Sequence, residues 1–403
     1  MKQIGIIGGG AAGYFGAIQI GNLLRNTAQV TLLEKGEEPL TKVKISGGGR
    51  CNVTHNLFDP VSLSEKYPRG KKELRAAFER FQPQDTIEWF FKRGVELKKE
   101  DDGRMFPTTN QSSTIIDCFQ KEANRAKVNI QLGSLVNGIY FEENKWKVIT
   151  KEKEFYFDKL LVATGSSRKV WEILEKLGHT IEKPVPSLFT FHITDERISE
   201  LQGLSVPNAE VSIFPKGKSQ TGPILITHWG LSGPAILKLS AYEAKTFFDL
   251  DYKTKIKINW VYPNTNSEIQ NKILETKKEH PAKKISSFSL FHLPSRLWES
   301  FLKKLNLSDK RWSEISNAEI NFLRDELANG IYEVSGKSIF KEEFVTCGGV
   351  SRKEVDFRTM ESKICKGLYF AGEVLDIDGV TGGFNFQNAW TTSWIAAEAI
   401  ANA

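Results

Sequence analysis

Lys2-Gln3-Ile4-Gly5-Ile6-Ile7-Gly8-Gly9-Gly10-Ala11-Ala12-Gly13 stands at the head of the chain, and a helix-compatible stretch leads from it to Gln29-Val30-Thr31-Leu32-Leu33-Glu34-Lys35. The β-branched run Gln3 to Ile7 predicts a strand, the stretch reaching Asn26 a helix, and the apolar run Gln29 to Leu33 a second strand ending on an acid. In that setting the glycines have separate tasks. Gly8 permits the tight turn out of the strand, Gly10 lets the backbone approach a pyrophosphate, and Gly13 lets the helix pack closely on the sheet. The unpaired amides at the helix start, around Ala11 and Ala12, then face phosphates, and the helix dipole adds to the attraction. Glu34, with Lys35 beside it, stands where an acid holds a ribose hydroxyl and disfavours a 2′-phosphate. A tight turn without ligand is the alternative; the succession strand, glycine turn, helix, strand, acid selects dinucleotide binding.

Length and composition bound the rest. At 403 residues the chain exceeds one ordinary domain, so two or three cores are expected. It is 40% hydrophobic and 26% charged, with no apolar run of membrane-span length, which predicts a soluble globular protein with no membrane partner. Met1 leads straight into the first strand with no secretory signal ahead of it, so a cytoplasmic location is expected. Cys51, Cys118, Cys347 and Cys365 are widely spaced and form no C-x-x-C pair, which speaks against a disulfide framework and against a metal site. The formal charge of +6 could suit an anionic partner, but the lysines are interleaved with acids. The expectation is therefore a solvated surface and a small-molecule substrate rather than a nucleic acid. Oligomeric state is left open.

After Glu34 the sequence predicts a loop over Gly36 to Asn56, centred on Ser46-Gly47-Gly48-Gly49-Arg50-Cys51-Asn52. Glycines there imply backbone held close to something bulky, with Arg50 and Asn52 supplying charge and hydrogen bonds. Helices are predicted over Glu73 to Phe81, Gln84 to Lys92 and Ser113 to Ala126, with a hairpin over Val95 to Pro107. A strand at Val128 to Leu132 precedes a meander of Leu135 to Phe141, Lys145 to Thr150 and Glu154 to Phe157. A buried strand, Lys159 to Ala163, then runs into Thr164-Gly165.

From Pro184 the texture changes. Strands are predicted at Ser187 to Ile193, Glu210 to Phe214, Pro223 to Ile226 and Lys255 to Val261, with a helix at Leu231 to Ala241 whose start carries Ser232 and Pro234. Helices at Ser267 to Lys278, Ser295 to Lys304 and Asn317 to Glu326 follow, and then strands at Ile331 to Val334 and Glu343 to Thr346. The final block returns to the style of the first: a buried strand Leu368 to Ala371, the pair Gly372-Glu373, the run Asp376 to Gly383, and a helix from about Asn385. A strand ending in Gly-acid before glycines and a helix suits a flavin's ribityl chain and ring edge, with Glu373 accepting from a hydroxyl and the helix amides facing the ring.

Together the first glycine turn, Ser46 to Asn52, Ala163-Thr164-Gly165, Thr227-His228-Trp229-Gly230-Leu231-Ser232-Gly233-Pro234, Cys347-Gly348-Gly349-Val350 and Phe370 to Asp376 make the chain resemble one family. It is the aminoacetone-oxidase-like and bile-acid-reductase-like group of FAD-dependent oxidoreductases, and the resemblance covers nearly the whole chain. It implies an α/β fold: a Rossmann-type FAD-binding domain built from both chain ends, residues 1–186 and 346–403, with an insert at 187–345. The insert would be a β-barrel part at about 187–262 and a helical part at about 263–330. Carried over by motif, Gly8, Gly10, Ala11, Ala12, Gly13, Glu34 and Lys35 should hold the ADP half of FAD, with Val136 as a backbone contact to adenine. Gly49, Arg50, Cys51, Asn52, Thr164, Gly165, Gly372, Glu373, Asp378, Gly382, Gly383, Phe384 and Asn385 should lie along the cofactor. His55, Val380 and Asn388 depart from the family pattern.

The leading expectation is an oxidoreductase that passes a hydride between non-covalent FAD and a small organic substrate or NAD(P)H. With a single dinucleotide motif, NAD(P)H would be a transient donor. Oxidase and NAD(P)H-dependent reductase both stay open. The alternative is an FAD-containing RNA-modification or binding protein, and a flavin-binding structural protein is a third class. No catalytic base is assigned; of two readings for His228, one facing the flavin and one as a structural residue at a strand end, the second is favoured.

Overall fold

The computed structural model of the chain describes residues 1–337 and 345–403. The chain divides into two compact units, Met1–Val185 with Val345–Ala403, and Pro186–Phe344.

In the first unit, Lys2–Ile7 lies in the middle of a sheet ordered Val355–Asp356, Glu361–Ser362, Leu368–Phe370, Lys159–Val162, Lys2–Ile7, Ala28–Leu33, Asn129–Gln131. The pairs from Leu368–Phe370 across to Asn129–Gln131 are parallel. Ile4, Ile6, Ile7, Leu32, Leu33, Leu160, Leu161 and Val162 are all buried, as expected for parallel strands covered on both faces. Strands from the two ends of the chain therefore share one sheet. Two helices, Ala11–Leu23 and Phe384–Asn402, pack together on it: Ser393 Oγ donates to the Ala12 carbonyl at 2.8 Å, and Phe15 meets Trp390 with ring centroids 5.5 Å apart. Each such aromatic pair adds about 0.5 to 1.5 kcal/mol beyond the area it buries. The predicted meander is present as Val136–Glu142, Lys145–Thr150 and Glu154–Phe157.

The stretch Gly36 to Asn56 is not all loop. Leu40 and Val43, both buried, pin a short helix that is regular from Thr41 to Ile45 and breaks at Ser46, where ψ is 149°. Leu40 N donates to the Gly9 carbonyl at 2.9 Å, which ties this segment to the first glycine turn. Beyond it, Thr54–His55 adds a strand to the Leu97–Lys99 and Arg104–Pro107 hairpin.

In the second unit the sheet order is Gly330–Val334, Thr254–Asn259, Ser205–Phe214, Gln220–Thr227, Gly230–Ser232, Phe191–His192, Gly336–Lys337. All its pairings are antiparallel, and residues 330–337 supply both outer strands. Two expectations change here. Ser187 to Ile193 is interrupted at Leu188, whose φ is +58°, so one strand ends at Ser187 and the next begins at Phe191. The helix expected at Leu231 begins at Pro234, because Gly230–Ser232 pairs with Leu225 to Thr227 and Ser232 Oγ bonds Thr190 Oγ1 at 2.9 Å instead of capping. Of the strand expected at Glu343 to Thr346, Glu343 and Phe344 lie outside the described residues, and Val345–Val350 is a strand. The helices Asn266–Glu279 and Asn317–Asn329 both begin with capping boxes, Thr265 with Glu268 and Ser316 with Glu319.

Candidate functional site

The first glycine turn is built by contact. A Cβ on Gly13 would fall 1.8 Å from the Gly8 carbonyl oxygen, and one on Gly8, whose φ is +107°, would fall 2.5 Å from the carbonyl oxygen of Ala163. At Gly10 nothing lies within 4 Å of that position, so the turn leaves open space where the helix starts. Gly10 is the N-cap and provides no side-chain acceptor, so the amides of Ala11, Ala12 and Gly13 begin the helix without intrahelical partners. Beside them Glu34 Oε2 accepts from Gly9 N at 2.6 Å and Oε1 from Gly36 N at 2.8 Å. Its carboxylate is fixed at the rim of a narrow cleft of about 50 Å³ lined by Ile7, Gly8, Leu33, Glu34, Lys35, Ser134, Leu135, Val136, Thr164, Ser167, Lys169 and Val170. Thr164 Oγ1 is buried there with no hydrogen-bond partner. A buried hydroxyl without a partner costs about 1 to 3 kcal/mol, so the site is short of one polar neighbour.

The C-terminal turn at Gly372-Glu373 meets this one. A Cβ on Gly372 would sit 3.0 Å from Ala12 Cβ, and Gly372 N donates to Thr392 Oγ1 at 2.9 Å. A Cβ on Gly165 would lie 3.4 Å from Glu373 Oε2. Glu373 accepts from Lys42 Nζ at 2.6 Å and from Thr346 N at 3.0 Å. Lys42 was not among the residues picked out from the sequence; it lies on the short helix Thr41 to Ile45, in a stretch that reads as loop and gives its long side chain no pattern.

The Ser46 to Asn52 block turns through left-handed backbone at Gly47, Gly48 and Gly49, with φ of +57°, +67° and +81°. A Cβ on Gly48 or Gly49 would meet nothing within 4 Å. Arg50 Nη1 donates to Glu100 Oε1 at 2.6 Å, and the guanidinium carbon lies 4.0 Å from the Phe106 ring centre. Cys51 is fully buried and burial pushes its thiol up to about 12, so it stays protonated and inert. With the Asn52 amide oriented by its neighbours, Nδ2 donates to the Thr54 carbonyl at 3.0 Å and Oδ1 accepts from Gly383 N at 2.9 Å. The Gly383 amide, expected to face the flavin edge, is thereby engaged within the protein.

The rest of the C-terminal block is held tightly. Asp378 is fully buried against Arg69 and forms a two-point ion pair with it. Asn385 accepts from Gly379 N at 2.8 Å and donates to the Gly379 carbonyl at 2.9 Å. Phe384 stacks on His55 at 4.8 Å, next to Gly382, and its carbonyl accepts from Tyr67 Oη at 2.7 Å. Burial lowers the pKa of His55, so its ring is neutral near pH 7. Thr54 and Thr86 both donate to Gln387 Oε1, at 2.6 and 2.9 Å, inside the core. Gln387 escaped the sequence reading. A glutamine amid apolar helix residues, with Thr391 one turn on, was the only cue. His228 is exposed at the turn between Gln220–Thr227 and Gly230–Ser232, beside Trp229, which stacks on His192 at 5.8 Å. No cluster of His, Cys, Asp and Glu suited to a metal occurs among the described residues, and no described helix is long and apolar enough to cross a membrane.

The site thus offers a helix N-terminus facing open space, a fixed carboxylate, a cleft beside it and an unpartnered hydroxyl. The family described as HI0933-like protein Rossmann domain matches residues 2–399. The chain is 30% identical to the ribosomal RNA dihydrouridine synthases of Haemophilus influenzae and Escherichia coli, over 98% of this chain and 97% and 96% of theirs. It is 26% identical to the 3-dehydro-bile acid delta(4,6)-reductase of Clostridium scindens, over 100% of this chain and 99% of that one. Among solved structures, the open conformation of a flavocytochrome c3 fumarate reductase matches with a TM-score of 0.51 at 15% identity, covering all of this chain and 78% of the other, which is a likeness of fold. By these matches and the strand-turn-helix-strand-acid site, the chain belongs to the HI0933-like Rossmann family and is an FAD-dependent oxidoreductase.

Proposed function

We propose that this protein reduces a uracil base of ribosomal RNA, using non-covalently bound FAD and a nicotinamide donor that docks transiently. The observation that carries the reading is the match, along almost the whole of both chains, to two ribosomal RNA dihydrouridine synthases. It favours the RNA alternative of the sequence reading over a small free amine or acid. When bound, the flavin supplies two electrons, received from NAD(P)H, for the C5=C6 bond of uracil, which is conjugated with the C4 carbonyl. One proton from solvent balances the reduction of uridine to dihydrouridine. The bile-acid reductase relative supports a second reading, an alkene conjugated with a ketone in a steroid. The two readings share one chemistry, reduction of a carbon-carbon double bond polarised by a carbonyl.

The residues present fit the cofactor. The open space at Gly10 and the amides of Ala11 and Ala12 would hold the pyrophosphate, and Glu34 the adenosine ribose. Val136 and Lys35, on the cleft, would border the adenine, and Thr164 Oγ1 would gain the partner it lacks. Glu373 and Gly165 would border the ribityl chain. At the ring edge the amides of Phe384 and Asn385 take the role first expected of Gly383, whose amide serves Asn52. We further infer that the insert sheet closes into a barrel, since residues 330–337 pair at both of its ends. If Glu34 holds the ribose, Glu34→Ala weakens FAD retention by about 1 to 3 kcal/mol, measured by titrating apoprotein with FAD.

The deciding experiment supplies FAD-loaded protein and NADH or NADPH with ribosomal RNA purified from cells lacking this gene, then counts dihydrouridine by mass spectrometry of the digested nucleosides. A parallel arm uses a 4,6-dien-3-one steroid and follows its ultraviolet absorbance. New dihydrouridine supports the first reading; turnover of the steroid alone replaces it with the second.

A further inference from the structure

In the helical part of the insert a cleft of about 500 Å³ opens between the helix Asn266–Glu279 and the segment 288–292. Phe288 and Phe291 form its apolar wall, and His280 meets Phe288 edge-on at 5.3 Å. Lys283 Nζ lies 5.6 Å from the centre of the Phe288 ring, and Lys272, paired with Glu275 at 2.8 Å, lines the opposite side. Glu279 also faces the cleft. Phe291 and His292 both carry left-handed backbone, φ +56° and +57°, two successive non-glycine residues in a conformation L side chains rarely adopt. Such strain tends to gather at binding sites.

Charge singles out the same region. Between Lys272 and Arg311 ten lysines and arginines stand against four acids, a net +6 that equals the formal charge of the entire chain. The excess that looked scattered in the sequence is concentrated in this one segment. Lys283 and Lys278 form no ion pair among the described residues. Half-exposed aromatic rings beside an unpaired lysine, Lys283, are the chemistry that takes single-stranded RNA: bases stack on the rings and phosphates meet the ammonium group.

We infer that this cleft is a docking site for an unpaired nucleotide of single-stranded RNA, its base against Phe288 and Phe291 and its phosphates toward Lys283 and Lys272. The inference deepens the ribosomal RNA reading and rests on it. Glu279 gives the cleft an acceptor for a base amino group.

The test is fluorescence polarisation of a fluorescein-labelled, unstructured 12-nucleotide RNA with FAD-loaded protein across a salt series. Glycine adopts the left-handed backbone of position 291 freely, so Phe291→Gly removes the ring without straining the turn, and because Phe291 also packs on the insert core a melting curve and limited proteolysis of the insert check the fold. Phe291→Gly is expected to weaken binding about tenfold, the effect of one lost stacking contact. Lys283→Gln is expected to lower the slope of log affinity against log salt by about 0.7, one phosphate's share. Wild type should bind a duplex of the same length more weakly, with no loss in Phe291→Gly. Undetectable binding of the single strand, wild-type affinity in both variants, or an equal loss on duplex overturns the inference. An acidic peptide that binds wild type in the RNA's place, with the same loss in the variants, overturns it as well. Failure of the ribosomal RNA reading is seen separately, as absence of dihydrouridine with wild-type protein, and the binding data still decide the cleft.

Discussion

The first unit contains two glycine turns of nearly equal richness, Gly8 to Gly13 and Gly47 to Gly49, and they use glycine for opposite reasons. In the first, the backbone is so close that Gly13 would drive a Cβ to 1.8 Å from the Gly8 oxygen, while Gly10 alone faces open space. In the second, a Cβ on Gly47 would fall 2.9 Å from the Phe106 ring, but one on Gly48 or Gly49 would meet nothing within 4 Å, and at those two it is the positive φ that calls for glycine. Composition alone does not separate a turn closed by contact from one opened by conformation. The difference predicts where a single methyl group breaks the fold, where it expels the ligand and where it only strains the chain.

The largest effect is expected for Gly13→Ala. Its methyl must displace the Gly8 carbonyl, so the turn and the strand before it shift at a cost of about 3 kcal/mol or more. A fall in soluble yield and in the melting midpoint, even without FAD, would show it, and a melt matching wild type would mean that the turn is looser than its contacts. Gly10→Ala comes next and acts differently. With φ at −83° the backbone tolerates alanine, so the apoprotein should melt like wild type, while the methyl enters the space assigned to the pyrophosphate and weakens FAD binding tenfold or more, about 1.4 kcal/mol. Unaltered FAD affinity would move the pyrophosphate elsewhere.

Gly48→Ala should cost about 1 to 2 kcal/mol of stability through its left-handed backbone alone. Calorimetry with and without FAD separates the cases. Equal losses mean conformation only, and a greater loss with FAD means the second turn also makes room for ligand. The smallest effect concerns Cys51, at the end of that turn. Its thiol, pushed up to about 12 by burial, carries almost no thiolate at pH 7 and only about one part in a thousand at pH 9. Iodoacetamide should leave it unlabelled across that range, while the half-exposed Cys365 reacts. Labelling of Cys51 at the rate of Cys365 would show that the second turn opens.

The first turn was legible because strand, helix and acid each leave a periodic or positional mark, and its glycines fall where close packing requires them. The second was legible as a motif but not as a shape. The helix from Thr41 to Ile45 is too short to show periodicity, and its anchors, Leu40 and Val43, look like ordinary loop residues. In the insert, Glu210 to Phe214 is the end of a longer strand, Ser205–Phe214. The register shift between Val206 and Ala209, across Pro207 and Asn208, hid its beginning as a break in alternation. The bond from Gly383 N to Asn52 joins residues distant in sequence, and nothing local could announce it. The concentration of charge between Lys272 and Arg311 was present in the sequence and was averaged away by counting over the whole chain.

Lys159–Val162 lies between Lys2–Ile7 and Leu368–Phe370 in one sheet, and this order has a consequence for biosynthesis. When Val162 leaves the ribosome, its neighbour on one side is already made and its neighbour on the other is about 200 residues away, or roughly 10 to 40 s at ordinary elongation rates. During that interval one edge of the nascent sheet is bare, and the Ala11–Leu23 helix lacks the Phe384–Asn402 helix that covers it. The intervening insert can complete its own core first. A newly made chain therefore passes through a stage with one finished unit and one half-built unit, whose sheet and first helix are each still uncovered on one side.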